Sequence, residues 1–151
     1  MDANEIIPGI WIGNRRAAAD GEWLSANKIL AVFNCTKDLP FHPTVRHQYR
    51  VPVDDNLEPV EIKNMELWAP EIAVKILREY KQGPVLIHCH AGMQRSTAAC
   101  SFFLMALTGK PLSEVAAMIK SKRPIAFHPH ANFAQAMVTF ETELNKVKRA
   151  R

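Results

Sequence analysis

A short apolar run, a polar turn and a longer apolar run follow one another between residues 83 and 109. The first run, Val85 to Ile87, has the length of a buried strand, and Gly83-Pro84 ends the element before it. The second run, Ser96 to Leu107, is apolar on most sides and stops at Gly109, which is typical of a central helix capped by glycine. The segment therefore predicts a buried strand that leads into a central helix through a tight turn.

Strands and helices are predicted to alternate along the rest of the chain. Apolar residues recur at intervals of three and four from Val60 to Tyr80, which predicts a long helix that Pro70 kinks or divides. The other predicted helices are 21–27, 111–120 and 133–147, and the other predicted strands are 10–12, 29–33 and 49–53. This order favours an α/β fold, with residues 1–151 forming one domain and a central, largely parallel mixed sheet flanked by helices. Ligands bind beyond the carboxyl ends of such strands, and Cys89 follows one of them.

The turn itself carries residues suited to phosphate chemistry: His88-Cys89-His90-Ala91-Gly92-Met93-Gln94-Arg95-Ser96. Backbone N–H groups that converge at a helix N-terminus bind anions, and the helix dipole adds favourable potential. A thiol at such a place ionises readily, and the thiolate is the nucleophilic form. Arg95 offers two parallel donors to phosphate oxygens. The pattern predicts a phosphate site made by residues 90–95 (His90, Ala91, Gly92, Met93, Gln94 and Arg95), with Cys89 as nucleophile.

The run His-Cys-x-x-Gly-x-x-Arg-Ser resembles the signature loop of the cysteine-dependent protein tyrosine phosphatase superfamily, and in particular its dual-specificity branch. Three further segments carry the resemblance: Ile6 to Gly13 is similar to the opening strand motif, Val51 to Asp55 to the general-acid loop, and Lys122 to Ile125 to a late Arg-Pro segment. The resemblance covers nearly the whole chain. It implies a hydrolase without metal or cofactor that removes phosphate from phosphotyrosine and from phosphoserine or phosphothreonine through a phosphocysteine intermediate.

The resemblance also implies roles for individual residues. Asp54-Asp55 is an acidic pair 34 to 35 residues before Cys89, and the general acid occupies the fifth position of the matching loop, which is Asp55. Ser96 assists release of the thiolate, although a serine here also serves as a helix N-cap. His88 orders the loop through hydrogen bonding, or is simply a satisfied core histidine.

The substrate is predicted less narrowly. The chain has no room for the long insertions that deepen the pocket of phosphotyrosine-specific relatives, so a shallow pocket is expected. The loop carries His90, Met93 and Gln94, whereas phosphoinositide phosphatases of the superfamily tend to carry lysines there. A phosphoinositide or RNA 5′-triphosphate substrate remains an alternative, as does a phosphate-binding scaffold module with little turnover. The combination of Cys89, Arg95 and Asp55 argues against a scaffold, because binding alone needs neither nucleophile nor acid.

Cys35, Cys89 and Cys100 form no CxxC pair, which predicts a reducing intracellular setting, cytoplasmic or nuclear. Cys35 and Cys100 are ordinary buried cysteines, or one of them forms a disulfide with an oxidised Cys89, as in some relatives.

No apolar run approaches the ~20 residues needed to span a membrane, so no membrane association is expected. The acidic, polar start is not a secretory signal. The sequence leaves the oligomeric state open.

The formal net charge is +4, and part of it lies in a basic tail, which consists of Lys146, Lys148, Arg149 and Arg151. The tail reads as a solvated helix end, with binding to acidic partners or nucleic acid as the weaker alternative. The expected partners are phosphorylated proteins rather than nucleic acids.

His128 and His130 flank Pro129 without a third ligand at suitable spacing, so no metal site is predicted. The segment from Pro129 to Phe133 departs from the family pattern, and no functional residue is carried over to it.

Overall fold

The structure, a computed structural model, describes residues 2–150. Its elements, in chain order, are β1 (Ala3–Ile7), β2 (Ile10–Gly13), α1 (Arg15–Ala19), α2 (Gly21–Ala26), β3 (Ala31–Asn34), β4 (His47–Arg50), α3 (Pro59–Tyr80), β5 (Val85–His88), α4 (Arg95–Thr108), α5 (Leu112–Lys122) and α6 (Ala134–Ala150).

The strands form one mixed sheet in the order β1-β2-β5-β3-β4. β1 pairs with β2 antiparallel, and every other pairing is parallel. β5 is therefore the middle strand, bonded on both edges and covered on both faces, and its four residues are all buried. A strand in this position needs a continuous apolar sequence, which Val85 to Ile87 supplies.

Helices cover both faces of the sheet. The larger core lies between the sheet and α3 to α6, with α4 packed against β5 and buried along most of its length. A smaller core forms under α1 and α2, around Leu24, Val32, Val45 and Leu86. Leu86 faces the smaller core while Val85 and Ile87 face the larger one, as the alternation of side chains along a strand requires. The predicted α/β sandwich with its largely parallel sheet is confirmed.

Three details of the sequence prediction were wrong. The predicted strand 49–53 ends early, because β4 is His47–Arg50 and only Val51 adds one more bond, from its N–H to the Asn34 carbonyl oxygen at 2.9 Å. The next N–H that would face β3 is that of Val53, and it bonds to the Val51 carbonyl oxygen at 2.9 Å instead. Beyond this point the chain leaves the sheet toward the site. The prediction also missed β1, which lies on the edge of the sheet, and the five-residue helix α1.

Candidate active site

The loop from Cys89 to Gln94 joins the middle strand of the sheet to the most buried helix. β5 ends at His88, and α4 begins at Arg95 with Gln94 as its N-cap. A cavity of about 300 Å³ opens over this loop. Its lining residues are Asp55, Cys89, His90, Ala91, Met93, Gln94, Arg95, His128 and Asn132. The fold thus brings all of the predicted phosphate-binding residues except Gly92 into one cavity wall, together with the predicted acid.

Cys89 is buried at the base of this cavity, with its Sγ 3.2 Å from the Ser96 Oγ. Burial alone would raise the pKa of the thiol. Hydrogen bonds from the hydroxyl and the N–H of Ser96 lower it. The charge of Arg95 and the N–H of Gly92 act in the same direction, so the pKa of Cys89 lies below its ordinary value. The arrangement favours the thiolate, the form that can act as a nucleophile.

Arg95 is also buried, but its guanidinium is only partly paired. Its Nη1 donates to the Val53 carbonyl oxygen at 3.0 Å, which links the loop to the segment that carries Asp54 and Asp55. Its Nε is buried and has no hydrogen-bond partner among residues 2–150. A buried donor left unpaired is costly. An anion bound in the cavity beside Arg95 would supply the missing acceptor.

Gly92 gives the loop a shape that other residues could not adopt. Its φ is +69°, in the left-handed region, and a Cβ at this position would lie 2.5 Å from Arg123 Nη2 and 2.6 Å from the Gly13 carbonyl oxygen. The backbone of the loop is therefore in direct contact with the end of β2. Glycine is required here for both conformation and space.

Arg123 holds the loop from behind, a role that was not predicted from the sequence. Its buried guanidinium donates from Nε to the Gly92 carbonyl oxygen at 2.7 Å and from Nη2 to the Ala91 carbonyl oxygen at 3.1 Å. Its Nη1 donates to Asn4 Oδ1 at 2.8 Å. Carbonyl groups held on the outside of a turn leave the N–H groups to face inward. The Arg-Pro segment named by resemblance was the one available signal for this residue.

His88 supports the loop from the strand side. Its Nδ1 lies 3.3 Å from the Cys89 carbonyl oxygen, and this oxygen can only accept, so Nδ1 carries the proton. Burial lowers the pKa of His88 to about 4. The imidazole is therefore neutral near neutral pH and serves as a fixed donor rather than a base.

The two neighbouring aspartates face different surroundings. Asp55 lines the cavity over Cys89, and its Oδ1 accepts a hydrogen bond from Asn132 Nδ2 at 2.9 Å. Asp54 instead pairs with Lys37, with its Oδ2 3.2 Å from Nζ. The separation between them supports Asp55, and not Asp54, as the group available to a substrate.

Comparison with known proteins identifies the family. Residues 10–143 match the family model described as "Dual specificity phosphatase, catalytic domain". This chain belongs to the dual specificity phosphatase family. The matched range runs from β2 into α6 and so contains the Cys89 loop, the Asp54-Asp55 segment and Arg123. The resemblance drawn from the sequence motifs is confirmed.

Individual members of the dual specificity phosphatase family match most of the chain. Human dual specificity protein phosphatase 4 is 34% identical over 143 residues, which are 93% of this chain and 35% of that protein. Rat dual specificity protein phosphatase 18 is 33% identical over 144 residues, 93% of this chain and 68% of that protein. The crystal structure of human DUSP28 superposes with a TM-score of 0.81 at 27% identity, covering 96% of each chain. The chain thus spans only 35% of the length of the first relative.

The other two cysteines of this family member are both buried, free thiols, but only Cys35 lies beside Cys89. The N–H of Cys35 donates to the His88 carbonyl oxygen at 2.8 Å, and Asn34 pairs with His88, so Cys35 is the cross-strand neighbour of Cys89. Burial, and then the nearby Cys89, raise the pKa of Cys35. Cys100 lies inside α4, and burial raises its pKa as well.

The basic tail lies outside the cavity. Within the basic tail, Lys146 pairs with Glu143 at 3.1 Å, and Lys148 Nζ donates to the Gly109 carbonyl oxygen at 2.8 Å. Arg149 falls within α6, and Arg151 lies outside the described residues. Over residues 2–150, no helix combines the length and apolarity required to cross a bilayer. The same range contains no group of three or more His, Cys, Asp or Glu side chains arranged to hold a metal ion.

Proposed function

We propose that this chain is a phosphoprotein phosphatase that hydrolyses phosphotyrosine and phosphoserine or phosphothreonine through a phosphocysteine intermediate, without a metal. The proposal rests on two groups in one cavity: a buried Cys89 thiol with a lowered pKa, and an Arg95 Nε that has no hydrogen-bond partner among residues 2–150. The family membership and the protein phosphatase names of its relatives support the same activity.

In the first step, the Cys89 thiolate attacks phosphorus in line with the leaving oxygen. The S–P bond forms as the P–O bond to the substrate side chain breaks, and Asp55 transfers its proton to the departing oxygen. The N–H groups of residues 90–95 and the Arg95 guanidinium bind the equatorial oxygens, where charge is spread in the transition state. Arg123 and Gly92 serve this step indirectly, because they fix the shape of the loop.

In the second step, water attacks the phosphocysteine. The Asp55 carboxylate now accepts a proton from that water, the new P–O bond forms, and the S–P bond breaks to release inorganic phosphate. The leaving group is the Cys89 thiolate, and the Ser96 hydroxyl 3.2 Å away donates to it as it departs. Ser96 thus has the same effect here as in the resting site, where it lowers the pKa of Cys89.

The proposed substrate class follows from the shape of the cavity. The cavity has a volume of about 300 Å³, and Asp55, one of its lining residues, is exposed; we infer room for both short and long phosphorylated side chains. Arg95 is the one lining residue with a permanent positive charge, so the wall offers no cluster of lysines for additional phosphates. The proposed partners are therefore phosphorylated proteins. We place the chain in the reducing cytoplasm or nucleus, because its three cysteines are free thiols.

Hydrolysis of p-nitrophenyl phosphate in the presence of EDTA tests the proposal. The wild type is expected to turn over, and Cys89→Ser is expected to lower kcat by roughly 10³-fold or more, because the nucleophile is lost. Cys100→Ala is the matched control, since it removes a buried cysteine outside the cavity and should retain activity. Turnover that survives in Cys89→Ser would exclude the mechanism.

A panel of substrates then separates the classes. Phosphotyrosine and phosphothreonine peptides are expected to be hydrolysed with higher kcat/KM than phosphoinositides or 5′-triphosphorylated RNA. The opposite ranking would support a non-protein substrate. Tight binding of phosphopeptides with no turnover of any substrate would instead support a scaffold module.

A further inference from the structure

The side chain of Gln94 bonds to a distant loop rather than to the N-terminus of α4. Gln94 is the N-cap residue of α4, yet its side chain makes no capping bond. Its Nε2 donates to the carbonyl oxygens of His128 at 3.1 Å and His130 at 2.9 Å, and its Oε1 accepts from the N–H of Asn132 at 2.9 Å. The side chain is 6% exposed. One residue of the phosphate loop therefore fixes the backbone of residues 128–132.

The segment held in this way delivers a donor to the proposed general acid. Asn132 Nδ2 donates to Asp55 Oδ1 at 2.9 Å, across 77 residues of sequence. Asp55 is exposed at the cavity mouth, so water competes for its oxygens. A donor on a fixed backbone loses little further entropy when it binds Asp55, and this is what allows Asn132 to compete with water. The amide orientations follow from the partners, because carbonyl and carboxylate oxygens only accept.

A neutral amide is well suited to hold an aspartate that must change its protonation state. A cation beside Asp55 would favour the charged carboxylate and oppose its use as an acid. The Asn132 amide donates to Oδ1 whether the carboxyl is protonated or not. With Oδ1 occupied, Oδ2 is the oxygen left to carry the proton to the leaving group and, in the second step, to accept one from water.

We propose that Asn132, held in place by Gln94, is a positioning residue that orients Asp55 for proton transfer. The inference rests on the proposed function and deepens it, since it assigns the alignment of the acid to a residue of the phosphate loop. Loop and acid are coupled through hydrogen bonds from Gln94 to residues 128–132 and from Asn132 to Asp55.

The test is the dependence of kcat/KM on the leaving group, measured with a series of aryl phosphates from p-nitrophenyl to phenyl. A good leaving group departs without a proton, whereas a poor one needs the acid. Asn132→Ala and Gln94→Ala are each expected to lower kcat/KM about 10-fold for phenyl phosphate and less than about 3-fold for p-nitrophenyl phosphate. In an Asp55→Asn background, Asn132→Ala is expected to add no further loss.

Gln135→Ala is the matched control, because it removes an exposed amide that bonds only to Thr139 and should leave the leaving-group dependence unchanged. Asn132→Ser retains a short donor and is expected to recover part of the loss. Equal losses for all leaving groups, or a full further loss in the Asp55→Asn background, would overturn the proposal in favour of a merely structural role.

A second readout separates this inference from the proposed function. In a ¹⁵N–¹H spectrum, the side-chain amide signal of Asn132 is expected to shift in Asp55→Asn and in Gln94→Ala but not in Gln135→Ala. An Asn132 signal that ignores both Asp55→Asn and Gln94→Ala would overturn the positioning role. Absence of any turnover in the wild type, with the Asn132 signal behaving as expected, would contradict the proposed function alone.

Discussion

At the scale of single residues, two adjacent carboxylates have been given different surroundings. Lys37 bonds to both Asp54 and Glu61, at 3.2 and 2.6 Å, and the N–H of Asp54 donates to Glu61 Oε1 at 3.2 Å. Asp54 is thereby part of the anchor that fixes the start of the acid segment to α3. Among residues 2–150, Asp55 takes part in no ion pair, and its side chain hydrogen-bonds only to the neutral Asn132 amide.

Substituting each aspartate by asparagine should separate these roles. Asp55→Asn is expected to lower kcat by about 10² to 10⁴-fold, because the proton donor is lost, whereas Asp54→Asn should cost less than about 3-fold. Steady-state kinetics with a phosphotyrosine peptide measures both values, and each variant serves as the control for the other. An equal effect of the two substitutions, or a reversed one, would contradict the assignment of Asp55.

The sequence predicted those site residues that a local motif contains. Cys89 and Arg95 are six residues apart in one turn, so their shared role could be read from spacing. Arg123 and Asn132 act through hydrogen bonds to residues 31 and 77 positions away, and nothing in their own neighbourhood indicates such partners. The Gln94 side chain is a further case, because only the fold shows that it leaves the helix terminus and binds residues 128–132.

At the scale of elements, the parallel pairing of β3 with β5 determines which cysteine can react with Cys89. Neighbouring strands lie about 4.8 Å apart, and the register that pairs Asn34 with His88 places Cys35 beside Cys89 on the same face. Disulfides need Cα atoms roughly 4.4–6.8 Å apart. The spacing along the sequence could not distinguish Cys35 from Cys100, whereas the strand register does.

Treatment with hydrogen peroxide is expected to link Cys89 to Cys35. Peroxide oxidises the Cys89 thiolate to a sulfenic acid with release of water or hydroxide, and the Cys35 thiol then displaces water from that sulfur to form the S–S bond. Non-reducing peptide mass spectrometry should detect the 35–89 linkage and no 89–100 linkage. Cys35→Ala should instead accumulate sulfinic acid at Cys89. Absence of the linkage in oxidised, inactive protein would rule out this pairing.

Helices and strands were predicted most accurately where buried apolar residues recur at a regular interval along the sequence. The three-and-four spacing of apolar residues gave α3 within one residue, and the chain continues as a single helix through Pro70. Strands only four or five residues long offer too few positions for their period to be recognised. β4 ends where the Val53 N–H bonds to the Val51 carbonyl oxygen rather than to β3, and β1 depended on a partner strand rather than on its own sequence.

At the scale of the whole molecule, His88 links the stability of the fold to pH. Its pKa falls from 6.5 to about 4 because burial disfavours the charged ring. Between these two values the unfolded chain binds a proton that the folded chain does not, so stability is lost as the pH falls from 6.5 toward 4. The loss attributable to this one residue is at most about 3 kcal/mol.

Urea unfolding as a function of pH measures the effect. The free energy of unfolding of the wild type is expected to decrease from pH ~7 to pH ~4.5 more steeply than that of His88→Asn, which cannot take up the proton. Carboxylates and the other histidines titrate in both proteins, so the difference between the two slopes isolates His88. Identical slopes for the two proteins would show that His88 takes up its proton equally in the folded and unfolded states, and so that its pKa is not lowered by folding.

The bond between Arg123 and Asn4 has a consequence for how the protein would lose activity. Arg123 is the common anchor of two loop carbonyls and of β1, the strand at the open edge of the sheet. Edge strands detach at a lower free energy than the strands that they cover. Fraying of β1 would release one of the three bonds on that guanidinium while β5, α4 and the core stayed intact. Molecules with a frayed β1 would then be inactive. Spectroscopic probes of the core would still report them as folded.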